Sequence, residues 1–340
     1  MIPDISTFEQ QGEEIKSLIS HISEGKLVHA YLIAGDKGVG KRTFARMMAA
    51  GLICRSGPKR PCGKCVDCRA VFQEEHPDVI NIQRGIPITG DGKKDRTTIP
   101  VDDIREMIRL CGMHTLNGRP RVVIISDADK MTMQAQNCLL KTLEEPPDNT
   151  FIFLVTEHPD ALLSTVISRT RPVHLHAWPD EYIRSVLANY TDDATRIDES
   201  VTEAGGSVGK AIELVSDEEF WQSRNEIICD FFNTQKRSDI LCISNRWKDR
   251  RNEAERLLET IESLVRQMLE EHFHPGSGKR LSSLSPAWQK YIRNADVGRF
   301  AFLMDTICET RRQLQSNVNF QAVIEHLLFT LMGEGNIWSV

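Results

Sequence analysis

A glycine-rich turn between an apolar run and a helical segment most constrains how this chain can fold. Residues 35–42 read Gly-Asp-Lys-Gly-Val-Gly-Lys-Arg. The apolar run at 31–34 predicts a buried parallel strand before the turn, and the spacing of apolar residues predicts a helix over 41–53 after it. In that order, backbone N–H groups and a helix N-terminus can surround a phosphate group. We therefore predict a phosphate-binding loop.

The loop departs from the pattern G-x-x-x-x-G-K-[ST] at one position. Gly35, Gly40 and Lys41 match, but Arg42 stands where a hydroxyl oxygen would coordinate Mg²⁺. Thr43 cannot supply that oxygen, because one step along a helix turns a side chain by about 100°. The glycines and the lysine permit binding of ATP or ADP without hydrolysis, and the sequence leaves open whether a nucleotide binds. The degenerate site comprises Gly35, Gly38, Gly40, Lys41, Arg42 and Thr43.

Apolar runs and amphipathic helices alternate up to about residue 175, which predicts an α/β domain with a mainly parallel sheet. Further strands are expected at 79–82, 122–125, 151–155 and 172–175, and helices at 8–24, 101–113 and 133–145. Residues 84–98 are rich in Gly, Pro, Lys and Asp and predict a loop.

Beyond residue 175 the patterns are helical. Short helices are expected at 179–189, 195–204 and 208–215, and longer ones at 217–235, 252–273, 296–316 and 319–333. We predict three domains, namely an α/β domain at 1–175, a small helical domain at 176–215 and an all-α domain at 216–340.

Hydrolysis of a bound nucleotide would require an acidic residue at the end of a second strand. The strand at 122–125 runs into Ser126 and Asp127 rather than directly into an Asp-Glu pair. A polar loop with helix-capping residues explains this segment at least as well as a metal site.

Four cysteines cluster within 54–68, a short, lysine-rich and hydrophilic segment. Their spacing, C-x₇-C-x₂-C-x₂-C, suits a tetrahedral structural Zn²⁺ site without an open coordination position. An iron–sulfur cluster would call for a C-x₃-C-P continuation, which does not follow Cys68, and free thiols are the remaining alternative. The cluster consists of Cys54, Cys62, Cys65 and Cys68.

Composition narrows the class of protein. The net charge of −6 argues against a molecule that coats nucleic acid over its whole surface. No apolar run approaches the roughly 20 residues that span a bilayer, so no membrane partner is expected. The N-terminal residues lack the pattern of an export signal, and a cytoplasmic location is the expectation.

Arg169 lies in the segment Ser-Arg-Thr-Arg, after a short predicted helix. An arginine at an exposed domain edge can act in trans on the γ-phosphate of a neighbouring subunit. Spacing alone does not distinguish this role from that of a solvated or salt-bridged arginine.

Together these segments resemble the clamp-loader subunits of bacterial DNA polymerase III, which are AAA+ proteins, and among them the delta-prime subunits. The resemblance covers roughly residues 25–175 and is weak beyond them. It is carried by His-Ala-Tyr-Leu at 29–32 before the glycine loop, by the four cysteines, by His-Pro-Asp at 76–78, and most specifically by Asn-Cys-Leu-Leu-Lys-Thr-Leu-Glu-Glu-Pro-Pro at 137–147.

The resemblance implies an AAA+ P-loop domain, a helical lid and a helical collar that joins a pentameric ring. It also implies zinc at the four cysteines, a sensor role for Thr156 at the degenerate nucleotide site, and an arginine finger at Arg169 that serves the adjacent motor subunit. The implied partners are the motor (tau/gamma) and delta subunits, the sliding clamp, and primer–template DNA in the assembled complex.

Departures from the motor pattern distinguish the subunits. Arg42 replaces the hydroxyl, Ser126-Asp127 replaces Asp-Glu, and Gly209 replaces the arginine of the lid motif Gly-Ser-x-Arg-x-Ala. They favour a non-hydrolysing stator of the delta-prime type. The alternative is an active motor ATPase that binds metal through Asp127 or Asp129. A third interpretation, a zinc-dependent DNA-binding module, lacks a recognition helix or aromatic stacking platform near the cysteines.

Overall fold

The computed structural model describes residues 4–57, 60–88, 97–115, 118–233, 237–274, 292–314 and 318–333. The chain divides into two compact units, Met1–Val215 and Ser216–Val340. Most of the predicted loop at 84–98 lies outside the described residues, as do the last residues of the helices predicted at 217–235 and 296–316. Ile99, at the end of that loop, is buried, and its N–H donates to the carbonyl oxygen of Lys130.

The first unit contains a five-stranded parallel sheet in the order β2-β3-β4-β1-β5. All five predicted strands are confirmed, with ends that differ by one residue at most. The strands are β1 (Ala30–Gly35), β2 (Val79–Ile82), β3 (Arg121–Ile125), β4 (Thr150–Thr156) and β5 (Arg171–Leu175).

Nine helices begin within the described residues of the first unit. They are α1 (Glu13–Glu24), α2 (Lys41–Ile53), α3 (Val66–Phe72), α4 (Val101–Cys111), α5 (Met133–Glu144), α6 (Ser164–Ile167), α7 (Asp180–Leu187), α8 (Ala194–Ala204) and α9 (Val208–Ser216). The single helix predicted at 8–24 is wrong at its start. A 3-10 turn, Ile5–Gln11, precedes α1 because Gly12 interrupts the helix with a φ of 128°.

Alternate strand residues point to opposite faces of the sheet, so the sheet supports two cores. Tyr31 and Ile33 pack in one core with residues of α1, α2 and the helices α7 to α9. Leu32 packs in the other core with residues of α4, α5 and α6. The sheet is parallel, helices cover both of its faces, and the glycine loop follows β1. The predicted α/β fold class is confirmed.

The second unit is helical throughout its described part. Its helices are α10 (Glu218–Asn233), α11 (Arg237–Trp247), α12 (Ala254–Phe273), α13 (Val297–Leu314) and α14 (Phe320–Gly333). Helix α11 was not predicted, although its buried residues Ile240, Ile243 and Trp247 follow helical spacing. None of the helices in the described ranges has both the length and the apolar character needed to cross a bilayer.

Candidate nucleotide and metal sites

The glycine loop is fixed at its start by a close approach of two backbones. β1 ends at Gly35, whose φ is 149°. A Cβ atom at this position would overlap the backbone carbonyl oxygen of Leu175, at the end of β5. Only glycine satisfies both requirements, which explains why the predicted loop begins at this residue.

The centre of the loop is packed against the start of α9. Gly38 has a φ of 78°, and a Cβ atom there would overlap the Oγ atom of Ser207. The carbonyl oxygen of Gly38 accepts a 2.9 Å hydrogen bond from the N–H of Gly209. A Cβ atom at Gly209 would lie 3.2 Å from the Cα and O atoms of Gly38. Gly209, which stands in place of the lid arginine, therefore allows the backbone of α9 to approach the loop and donate a hydrogen bond to it.

Lys41 is the first residue of α2, and its side chain is 7% exposed. Its Nζ donates hydrogen bonds of 2.8 Å to the carbonyl oxygen of Gly35 and 2.6 Å to that of Asp36, and it lies 3.6 Å from Oε1 of Glu157. Burial lowers the pKa of Lys41, and the Glu157 carboxylate opposes that shift. The ammonium group is thus held by the loop itself and by a carboxylate that the sequence did not single out.

Arg42 pairs with an acidic residue from the neighbouring strand end. Its Nη2 donates a 2.8 Å hydrogen bond to Oδ2 of Asp127, two residues beyond the end of β3. Asp127 has a φ of 55°, and Arg84 approaches the same carboxylate oxygen at 3.7 Å. Thr43 lies one position further along α2 and is half-buried. The structure therefore brings the replacement for the hydroxyl and the candidate metal-binding carboxylate together as an ion pair.

The predicted sensor, Thr156, is the last residue of β4 and is buried. Its Oγ1 donates a 2.9 Å hydrogen bond to Oδ1 of Asp129 and accepts one of 3.0 Å from the N–H of His158. Lys130 binds the other oxygen of Asp129 at 2.9 Å. Hydrogen bonds from these two side chains lower the pKa of Asp129, although partial burial has the largest effect and acts in the opposite direction. The second candidate metal-binding carboxylate is also engaged within the protein.

Arg169 lies between α6 and β5, away from the glycine loop in sequence, and its side chain is one-third exposed. Its Nε donates a 2.7 Å hydrogen bond to Oε1 of Glu144, at the end of α5, and its Nη2 forms an ion pair with the same oxygen. Its Nη1 donates a 2.9 Å hydrogen bond to the carbonyl oxygen of Thr165. The contact between Arg169 and Glu144 was not predicted, although Glu144 lies in the motif at 137–147.

The four predicted metal ligands lie together. Their Sγ atoms are within 4.8 Å of one another, with separations of 4.0 Å for Cys54–Cys65 and 3.9 Å for Cys62–Cys68. Four sulfur ligands at the usual Zn–S bond length of about 2.3 Å would be about 3.8 Å apart. The donor set therefore fits a closed metal site such as that of structural zinc.

The thiols of this cluster differ in acidity. Hydrogen bonds from Ser56 and from backbone N–H groups lower the pKa of Cys62 to about 5. Burial raises the pKa of Cys68. A bound cation would favour the thiolate form of all four residues.

The arrangement suits phosphate contact better than phosphate hydrolysis. The loop and the N-terminus of α2 are in place. However, both candidate carboxylates for a metal ion are bonded to cationic side chains, Asp127 to Arg42 and Asp129 to Lys130.

Comparison with known proteins agrees with the sequence resemblance. DNA polymerase III subunit delta' of Bacillus subtilis is 27% identical over 328 residues, which cover 95% of this chain and 96% of that protein. DNA polymerase III subunit delta' of Escherichia coli is 27% identical over 327 residues, which cover 94% and 93%. DNA polymerase III subunit tau of Escherichia coli is 34% identical over 184 residues, which cover 54% of this chain and 27% of that protein.

The family described as DNA polymerase III, delta subunit, matches residues 10–179, which is half of the chain and contains the glycine loop, the cysteine cluster and Arg169. The chain therefore belongs to the family of DNA polymerase III delta subunits.

Proposed function

We propose that this chain is a non-hydrolysing clamp-loader subunit of bacterial DNA polymerase III, of the delta-prime type. The main observation behind the proposal is the ion pair between Arg42 and Asp127. A motor subunit needs a hydroxyl and a free carboxylate to bind Mg²⁺, whereas here a guanidinium replaces the hydroxyl and is bonded to the carboxylate. Relatives named as delta' subunits, which align over nearly the whole chain, support the same assignment.

In this proposal the chain acts as a stator within a ring of subunits. Residues 1–175 form the AAA+ domain, 176–215 the lid, and 216–340 the collar that joins the ring. Arg169 reaches the nucleotide of the neighbouring motor subunit, of the tau/gamma type, and stabilises the charge that develops on its γ-phosphate. With the delta subunit, the complex opens the sliding clamp and places it on primer–template DNA.

Zinc at Cys54, Cys62, Cys65 and Cys68 would have a structural role. The cluster extends from the end of α2 into α3 and offers four sulfur ligands, so it has no position for a substrate. The metal would stabilise this segment and would contribute nothing to phosphate chemistry.

Turnover of Mg-ATP by the purified chain tests this proposal against the alternative of an active motor subunit. We expect no turnover above background from the chain alone, and stimulated turnover only when a motor subunit, the delta subunit, the clamp and primed DNA are present. Turnover by the isolated chain that Lys41→Ala abolishes would contradict the proposal and favour the motor subunit.

A further inference from the structure

The guanidinium of Arg169 is anchored on two separate elements. Glu144, the last residue of α5, accepts from its Nε at 2.7 Å and pairs with its Nη2. The carbonyl oxygen of Thr165, in α6, accepts from its Nη1 at 2.9 Å. The contacts with Glu144 hold the edge of the guanidinium formed by Nε and Nη2, and the contact with Thr165 holds Nη1.

Both anchors stand on rigid supports. Leu139 and Leu143 of α5 are almost fully buried in the core beneath the sheet, and so is Val166 of α6. An arginine side chain has many rotamers, and ordering it costs free energy each time it must meet a ligand. Because Glu144 and Thr165 already order the Arg169 side chain, little of this free energy remains to be spent when a partner binds.

The contacts leave two N–H groups of the guanidinium for a ligand. Nη1 and Nη2 each retain an N–H group beyond those that bind Thr165 and Glu144, apart from a long 3.5 Å contact of Nη1 with Ser168 Oγ. Two N–H groups of one guanidinium can donate to oxygens of a phosphate group. The anchored guanidinium can therefore bind a phosphate without releasing Glu144.

A carboxylate beside the arginine has two opposing effects. It orders the guanidinium, but its charge also reduces the attraction of Arg169 for a phosphate. The side chain of Glu144 is 49% exposed, so water and salt screen its charge, whereas its short hydrogen bond persists. We therefore expect the effect of ordering to outweigh the loss of charge.

We propose that Glu144 is a positioning residue that fixes the guanidinium of Arg169 for the γ-phosphate of a neighbouring subunit. The inference rests on the proposed function, since it requires that Arg169 act in trans. Glu144 itself would touch no substrate and would act only through Arg169.

The test measures ATP turnover by the reconstituted loader, with clamp and primed DNA, for five variants of this chain. Glu144→Ala removes the anchor, and Glu144→Gln keeps an oxygen acceptor but removes the charge. Glu145→Ala is the matched control, because Glu145 is exposed and follows Glu144 directly. Arg169→Ala is measured alone and combined with Glu144→Ala. Thermal unfolding of each variant establishes that it is folded.

We expect Glu144→Ala to lower kcat about three- to tenfold, the scale of ordering one long side chain, with KM for ATP changed less than about twofold. Glu144→Gln should retain at least about half of the turnover, and Glu145→Ala should match the unmodified chain. In the Arg169→Ala background, Glu144→Ala should have no further effect.

Three results would overturn the inference. They are unchanged or increased turnover with Glu144→Ala, equal losses with Gln and Ala at this position, and a loss that persists in the Arg169→Ala background. Turnover that Arg169→Ala leaves unchanged would overturn the proposed function as well. A loss with Arg169→Ala but none with Glu144→Ala would overturn the positioning role alone.

Discussion

Arg42 donates a 2.8 Å hydrogen bond to Asp127, so the residue that replaces the metal-binding hydroxyl is bonded to the acidic residue after β3. Arg84 approaches the same carboxylate at 3.7 Å. A protein cation thus stands beside the carboxylate that would otherwise be available to Mg²⁺. The departures at these two positions, which are far apart in sequence, form one local arrangement.

Restoring the hydroxyl alone should not restore hydrolysis. In Arg42→Thr the loop matches the phosphate-binding pattern, but Ser126 still stands where a motor subunit has an aspartate and Asp129 remains bound to Thr156. We expect phosphate release by the isolated variant to stay within about twofold of background, as for Arg42→Ala. Turnover by Arg42→Thr that is lost on adding Lys41→Ala would contradict this account.

Binding of Mg-ATP should stabilise the chain only slightly. Nζ of Lys41 is held by the carbonyl oxygens of Gly35 and Asp36, and the hydroxyl that would bind Mg²⁺ is missing. A ligand present at a hundred times its Kd raises the free energy of unfolding by about 2.7 kcal/mol. We expect millimolar Mg-ATP to raise Tm by less than about 2 °C in a thermal unfolding experiment. A rise of 5 °C or more that Lys41→Ala abolishes would show a functional nucleotide site.

Loss of one cysteine ligand should release the metal and destabilise the chain. We expect one zinc ion per chain by elemental analysis, and substoichiometric zinc in Cys62→Ser. Because the metal would tie together the segment between α2 and α3, Tm should fall by about 5–10 °C. Cys138→Ser is the control, since Cys138 is also half-buried but lies outside the cluster. Equal zinc content in the two variants would refute the assignment of Cys62 as a ligand.

A side chain added at the start of the glycine loop should destabilise the folded chain. Gly35→Ala places a Cβ atom against the carbonyl oxygen of Leu175 at a φ of 149°. We expect the free energy of unfolding to fall by about 2–4 kcal/mol in urea denaturation. Gly112→Ala should change it by less than about 1 kcal/mol, because the nearest atom to its Cβ would be 3.5 Å away and its φ is −75°. Similar effects of the two substitutions would show that the close approach at Gly35 is unimportant.

The part of the fold nearest the glycine loop was predictable because several local signals coincide there. The bounds predicted for α2 match the structure, since the loop and the apolar spacing agree on where the helix begins. Helix α11 was missed although Ile240, Ile243 and Trp247 gave a helical signal. The close approach of the four cysteine sulfurs was also predictable, because the four cysteines lie within one short segment.

Contacts between residues far apart in sequence were not predictable in the same way. Arg169 and Glu144 are 25 positions apart, and Arg42 and Asp127 are 85 apart. Arg42 meets Asp127 because the parallel sheet brings the ends of β1 and β3 to one side, whereas Arg169 and Glu144 lie on the segments that precede β5 and β4. The hydrogen bond from Gly209 to Gly38 depends on how α9 packs onto the loop. None of these contacts can be predicted from the spacing of residues in the sequence.

The central claim is that Arg169 serves the ATP site of a neighbouring subunit. Its most direct test is the rate of ATP hydrolysis by the reconstituted clamp loader, with clamp and primed DNA, when this chain carries Arg169→Ala or Arg169→Lys. We expect Arg169→Ala to lower kcat at least about 100-fold at the affected site, because arginine fingers contribute about 10³–10⁵ in rate. Arg169→Lys should recover little, since lysine keeps the charge but not the paired N–H groups. Hydrolysis at the unmodified rate in Arg169→Ala would contradict the account.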